Sequence, residues 1–158
     1  MSFQDKYKEY KERQEAKRYF RSNNDQFLNQ SELLKTLGGG IVCAIACGIV
    51  LGIVISLLHI TSSLFYLICG YAIAKAVTTL SGIHSKQVAI ISVICTFLCF
   101  VIGEMTMIYI PFYQIGIGFD LINIFDLFMM GIKTLFVGDL FVTIIAVLGL
   151  FISYQQAQ

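Results

Sequence analysis

The chain has 158 residues, of which 57% are hydrophobic and 13% charged, with one proline, no tryptophan and a formal net charge of +1. Its mean hydropathy is +0.77, which excludes a disordered chain and an ordinary soluble domain. With no basic stripe beyond the N-terminal arm, little room is left for sequence-specific nucleic-acid binding. Residues 1–36 hold 8 of the 11 Lys/Arg and 6 of the 10 Asp/Glu, so the remaining residues are almost free of charge. The distribution predicts an all-α polytopic membrane protein, with a charged cytoplasmic arm over 1–36 and a four-helix transmembrane domain over 37–158.

In the arm, Phe3 to Arg21 alternates Lys/Arg with Glu, places Lys8/Glu12 and Glu9/Arg13 at i,i+4 spacing, and keeps aromatics at Phe3, Tyr7, Tyr10, Tyr19 and Phe20. This predicts an amphipathic cytoplasmic helix. A solvated juxtamembrane helix that helps to set orientation accounts for it; a docking helix for a cytoplasmic partner or for anionic headgroups is the alternative. Asn23-Asn24-Asp25 is expected to break it.

The first span, 37–58, reads LGGGIVCAIACGIVLGIVISLL and contains no charge; at about 1.5 Å per residue it reaches roughly 33 Å, enough to cross a bilayer core. The second, 62–80, contains Lys75 and follows a short polar turn, His59 to Ser63, so spans one and two are expected to form a tight hairpin. The third, 88–111, contains Glu104, and the fourth, 136–154, has Asp139 in its first turn, where the helix dipole favours a carboxylate. Between them, Gln114 to Leu135 is too long for a turn and too apolar for a free loop. Asp120, Asn123, Asp126 and Lys133 fall on one side of a helical wheel, which suits an interfacial helix or a short re-entrant segment, the interfacial arrangement being favoured.

Four spans put both termini on one side. The arm carries Lys6, Lys8, Lys11, Arg13, Lys17, Arg18, Arg21 and Lys35, against Lys86 and Lys133 in the loops, so positive-inside counting expects cytoplasmic termini in the plasma membrane of the cell. No apolar stretch lies within 1–36, and the first span is therefore expected to serve as a retained signal anchor.

Small residues mark the packing faces. Gly40, Ala44, Gly48, Gly52 and Ser56 recur every four residues along the first span, with Gly48 and Gly52 forming a GxxxG pair, and the second span offers Gly70, Ala74 and Thr78. Close backbone approach holds helices together in lipid, so the expectation is that these two faces meet within the hairpin, or that the first meets a second copy of the chain or a membrane partner.

Few residues are candidates for chemistry. Lys75 lies near enough to the cytoplasmic end of its span to snorkel, which is favoured over a buried functional role. Glu104 is short and deep in its span, so it needs a partner or a proton; His59, Lys133 and Thr106 are the partners expected. His59, Glu104, Asp120, Asp126 and Asp139 together would form an outer acidic cluster able to hold a proton or cation, with Lys75, Glu104, His59 and Asp139 as the candidate intramembrane polar site. His84 beside Lys86 is expected to be exposed. Cys43, Cys47, Cys69, Cys95 and Cys99 all fall inside spans and contain no CxxC, so they are read as small apolar packing residues and not as a soft-metal site. No nucleophile elbow, HExxH, P-loop or GxGxxG is present. No enzyme activity, cofactor or metal is expected.

From Ile60 to Glu104 the sequence contains Gly70-Tyr71-Ala72-Ile73-Ala74-Lys75-Ala76 and a short basic loop, Ser81 to Gln87, leading into the third span. In these features it resembles a group of small bacterial four-helix membrane proteins of unknown function, with the charged arm standing where many of that group carry a soluble zinc ribbon. The resemblance covers about a third of the chain and implies an architecture, without a reaction or a substrate.

Two functional readings follow. One is a non-catalytic membrane subunit that assembles with itself or a membrane partner through the Gly48/Gly52 face. The alternative is a small oligomeric transporter or channel that uses Glu104 and Lys75. A membrane enzyme with Glu104 and His59 as acid and base is the least supported.

Overall fold

The structure is a computed structural model, and it describes residues 11–12, 30–58, 64–116 and 123–158. Among these residues there are only helices and their connections: α1 (Gln30–Leu58), α2 (Leu64–Ser81), α3 (Lys86–Gln114), α4 (Ile124–Lys133), a π-helical turn (Thr134–Gly138) and α5 (Leu140–Ala157). Helices α1, α2, α3 and α5 are long and apolar enough to cross a membrane, and the chain is a multi-pass membrane protein. Of the expected N-terminal helix, Lys11 and Glu12 are helical and exposed, and the rest lies outside the described residues.

The expected spans shift at their ends. Helix α1 starts at Gln30, so the boundary at 36/37 falls inside a helix, and Lys35 and Thr36 belong to it. Helix α3 extends beyond 88–111 at both ends. It begins after Ser85, whose hydroxyl accepts from the Val88 N–H at 3.3 Å, and it finishes just before Gly116, at φ +86°. The turn before it is made by Gly82, at φ +67°, whose N–H donates to the Thr78 carbonyl. The fourth span also shifts. It starts at Leu140 and not near 136, because Asp139 leaves the helix with φ −145° and caps it, accepting from the Phe141 N–H at 2.9 Å. Asp139 is therefore the N-cap of α5 rather than a member of its first turn. The Thr143 hydroxyl oxygen lies 2.9 Å from the Leu135 carbonyl oxygen, tying the start of α5 to the π-helical turn before it.

Helix α3 is central. In its membrane-spanning window 61% of residues are buried, against 28% in each of the other three, and α1, α2, α4 and α5 all pack on it. The expected pairing of the α1 and α2 small faces is not the one formed. Going up α1, a methyl at Gly40 would lie 2.8 Å from the Cys95 Sγ, one at Gly48 2.8 Å from the Cys99 carbonyl oxygen, and one at Gly52 2.6 Å from the Gly103 carbonyl oxygen. The numbers rise together, so α1 and α3 run parallel with their backbones in close approach. Helix α2 meets α1 at its C-terminal end, where Gly39 and Gly40 face Leu80 and Val77. Its own small face turns to α5: a methyl at Gly70 would lie 2.7 Å from the Gly149 carbonyl oxygen. Ala44 and Ala74 are fully buried on these faces, and Ser56 is half-buried. The physical reason is that a smooth small-residue face favours whichever helix approaches closely, whether or not it is the neighbour in sequence.

Between α3 and α5, the segment expected to be interfacial forms α4, capped by the Asn123 side chain on the Phe125 N–H at 3.2 Å. A methyl at Gly131 would stand 3.1 Å from the Val101 carbonyl oxygen, so α4 packs beside α3 well before the latter ends at Gln114.

Candidate functional site

Glu104 lies on α3 with 4% of its surface accessible. Counting from the turn between α2 and α3, Tyr66 stands 15 residues before Ser81 and Glu104 stands 18 after Lys86, which brings the two to similar heights on antiparallel neighbours. The Tyr66 hydroxyl donates to Glu104 Oε1. Glu104 Oε2 is buried and has no hydrogen-bond partner among the described residues. A carboxyl group in that position needs a proton or a counter-charge.

Of the expected partners among the described residues, neither Thr106 nor Lys133 supplies it. Thr106 donates its hydroxyl to the Ile102 carbonyl at 2.8 Å, within its own helix. Lys133, Asp126 and Asp139 are exposed, and His59 and Asp120 lie outside the described residues. Lys75 is exposed on α2, nine residues along the helix from Tyr66, or roughly 13 Å of axial rise, so the structure does not bring it to Glu104. His84 is exposed in the α2–α3 turn, and Lys86 is exposed at the start of α3.

Below Glu104, the same face of α3 carries Phe100, Thr96 and Ser92 at intervals of four, each fully buried. The Phe100 ring packs edge-on against Tyr66 with centroids 4.9 Å apart, and its tip reaches Gly149 of α5, where a methyl would lie only 3.0 Å from it. One turn further along α5, the buried Ser153 Oγ is 2.7 Å from Ser92 Oγ and 2.8 Å from Thr96 Oγ1. Three neutral hydroxyls thus satisfy one another across the α3–α5 contact, as buried hydroxyls in a bilayer must. Along this row of α3, a hydroxyl cluster and an aromatic ring at the contact with α5 are thus followed by a carboxyl–phenol pair at the contact with α2.

Tyr66, Phe100 and the three hydroxyls were not among the candidates expected. The repeat Ser92, Thr96, Phe100, Glu104 is visible in the text of the third span, and counting back from the turn reaches Tyr66 to within a helical turn; Ser153 has no such signal, because its position depends on how α5 sits against α3. All five cysteines are free thiols. Cys69 of α2 and Cys99 of α3 lie against each other, as do Cys43 and Cys47 within α1. Among the described residues no three His, Cys, Asp or Glu side chains converge as ligands for a metal ion.

Comparison of the chain with protein families, with curated proteins and with solved structures finds no match. The site's chemistry is accordingly argued from its own geometry: one carboxyl group held by one phenol inside a bundle, with a second acceptor oxygen left open.

Proposed function

We propose that this chain is a small membrane transporter or channel in which the Glu104–Tyr66 pair is the ion-handling site. The observation that carries the reading is the buried, unpartnered Glu104 Oε2. A carboxyl group kept inside a membrane bundle without a cation beside it is costly to maintain, and such groups usually mark ion or proton pathways. The reading uses Glu104 with Tyr66 and does not require Lys75, whose exposure suits a snorkelling side chain. It includes cytoplasmic termini in the plasma membrane, supported by the eight Lys/Arg of the arm.

The competing reading, assembly through the Gly48/Gly52 face, has less to support it, because that face already packs on α3 within the chain. A homo-oligomer or a membrane partner would need another surface.

The test is flux through proteoliposomes of the purified full chain carrying a trapped pH indicator, with an imposed pH gradient or membrane potential. Ion flux in the parent chain that is lost in Glu104→Gln, with helix content retained, is expected. Flux equal in the parent and in Glu104→Gln overturns the assignment of the site.

A further inference from the structure

The seam between α3 and α5 continues the Glu104 site toward the other end of the bundle, and the following inference rests on the reading above. Ser92, Thr96, Phe100 and Glu104 form a buried row at four-residue intervals on α3, winding about 40° around the helix at each step, from the α5 side at Ser92 to the α2 side at Glu104. Opposite them on α5 stand Ser153, against the two hydroxyls, and Gly149, against the ring. Thr96 and Glu104, the polar groups on either side of Phe100, are separated by eight residues, about 12 Å of helix rise, and Phe100 fills the interval.

We propose that this seam is a gated proton path, with Ser92, Thr96 and Ser153 as one station, Glu104 and Tyr66 as the other, and Phe100 as the gate between them. Three features support it. Each hydroxyl both donates and accepts, so the cluster can pass a proton by turning its O–H bonds. Glu104 Oε2 is the one buried side-chain acceptor left without a partner among the described residues. The fully buried Phe100 ring closes the interval, its tip against the Gly149 backbone of α5 and the ring edge-on to Tyr66, so a water chain can join the two stations only when the ring turns about its side-chain torsions.

The titratable group facing Glu104 is Tyr66 of α2, with the Cys69 thiol of α2 and the Cys99 thiol of α3 nearby. Among the described residues no group of α1, α4 or α5 hydrogen-bonds Glu104 Oε2. The proton taken up at one station leaves from the other, and no redox partner or covalent step is involved.

The experiment measures proton flux in proteoliposomes of the full chain, with retention of a trapped anionic dye as the control for general leak. Phe100→Ala and the milder Phe100→Leu remove part of the plug and should raise proton flux by roughly tenfold, one decade of barrier. Adding Glu104→Gln to either should return flux to background. Ser153→Ala should lower the raised flux, since it breaks both hydroxyl contacts. If Glu104→Gln abolishes the parent's flux while the Phe100 and Ser153 variants leave it unchanged, the ion-handling site stands and the path through the seam is overturned. If flux persists in Phe100→Leu/Glu104→Gln, both fall. Sodium flux that ignores the pH gradient also overturns the proton assignment. Helix content and monodispersity of Phe100→Leu and Ser153→Ala identify any variant that has lost its fold, and the other then decides.

Discussion

Replacing Gly52 by Ala tests the close approach of α1 and α3. The added methyl would lie 2.5 Å from Thr106 Cβ and 2.6 Å from the Gly103 carbonyl oxygen. Ordinary contact requires the helices to part there by about 0.9 Å, a gap that forfeits a quarter to a half of the local dispersion energy. Overpacking of this kind costs about 1–3 kcal/mol. The change also contributes a helix-propensity gain of up to about 1 kcal/mol, which would obscure the result if it were measured alone. Gly38→Ala, in the same helix, supplies the same propensity gain with nothing within 4 Å of the new methyl. The difference between the two variants therefore isolates packing, and Gly52→Ala should be less stable than Gly38→Ala by about 1–3 kcal/mol. Equilibrium unfolding in mixed micelles, followed by helical circular dichroism across a range of protein concentrations, measures it. Equal stability of the two variants refutes the α1–α3 contact. A Gly52 defect that grows on dilution would place the glycine at an interface between chains instead.

The helix-crossing geometry of α2 and α5 leads to a second expectation: Gly70→Ala, whose methyl meets backbone at 2.7 Å, should destabilise the bundle more than Gly149→Ala, whose methyl would meet the tip of the Phe100 ring at 3.0 Å and the Tyr66 carbonyl oxygen at 3.1 Å. The same unfolding assay ranks them, and the reverse order would contradict the register given for these helices. Asp139→Ala should cost about 1 kcal/mol by removing the cap on α5, whereas Asp139→Asn keeps an acceptor for the Phe141 N–H and should be near neutral; equal losses would show that charge, and not capping, matters at this position.

The reading of the sequence and the structure agree where the physics is local. Predominantly apolar runs of bilayer length, with backbone groups that must be satisfied within each run, determine the helical class and the four membrane-crossing helices. The ends depended on single capping residues: Asp139 reads equally well as a first-turn carboxylate or as a cap, and only its extended backbone settles which.

The site divides in the same way. Glu104 is conspicuous in the sequence because a short acid in an apolar run must be accounted for, but its actual partner is a tyrosine on another helix. Gly48 and Gly52 announce close packing without naming the partner, since dispersion between smooth faces is non-specific and α3 competes with the adjacent helix for the same surface. Composition, span length and the positions of the rare polar residues were thus set by the sequence alone. The α1–α3 and α2–α5 pairings, the Tyr66–Glu104 contact and the meeting of Ser153 with Ser92 and Thr96 were decided by tertiary structure, because each depends on the relative rotation and height of helices distant in the chain.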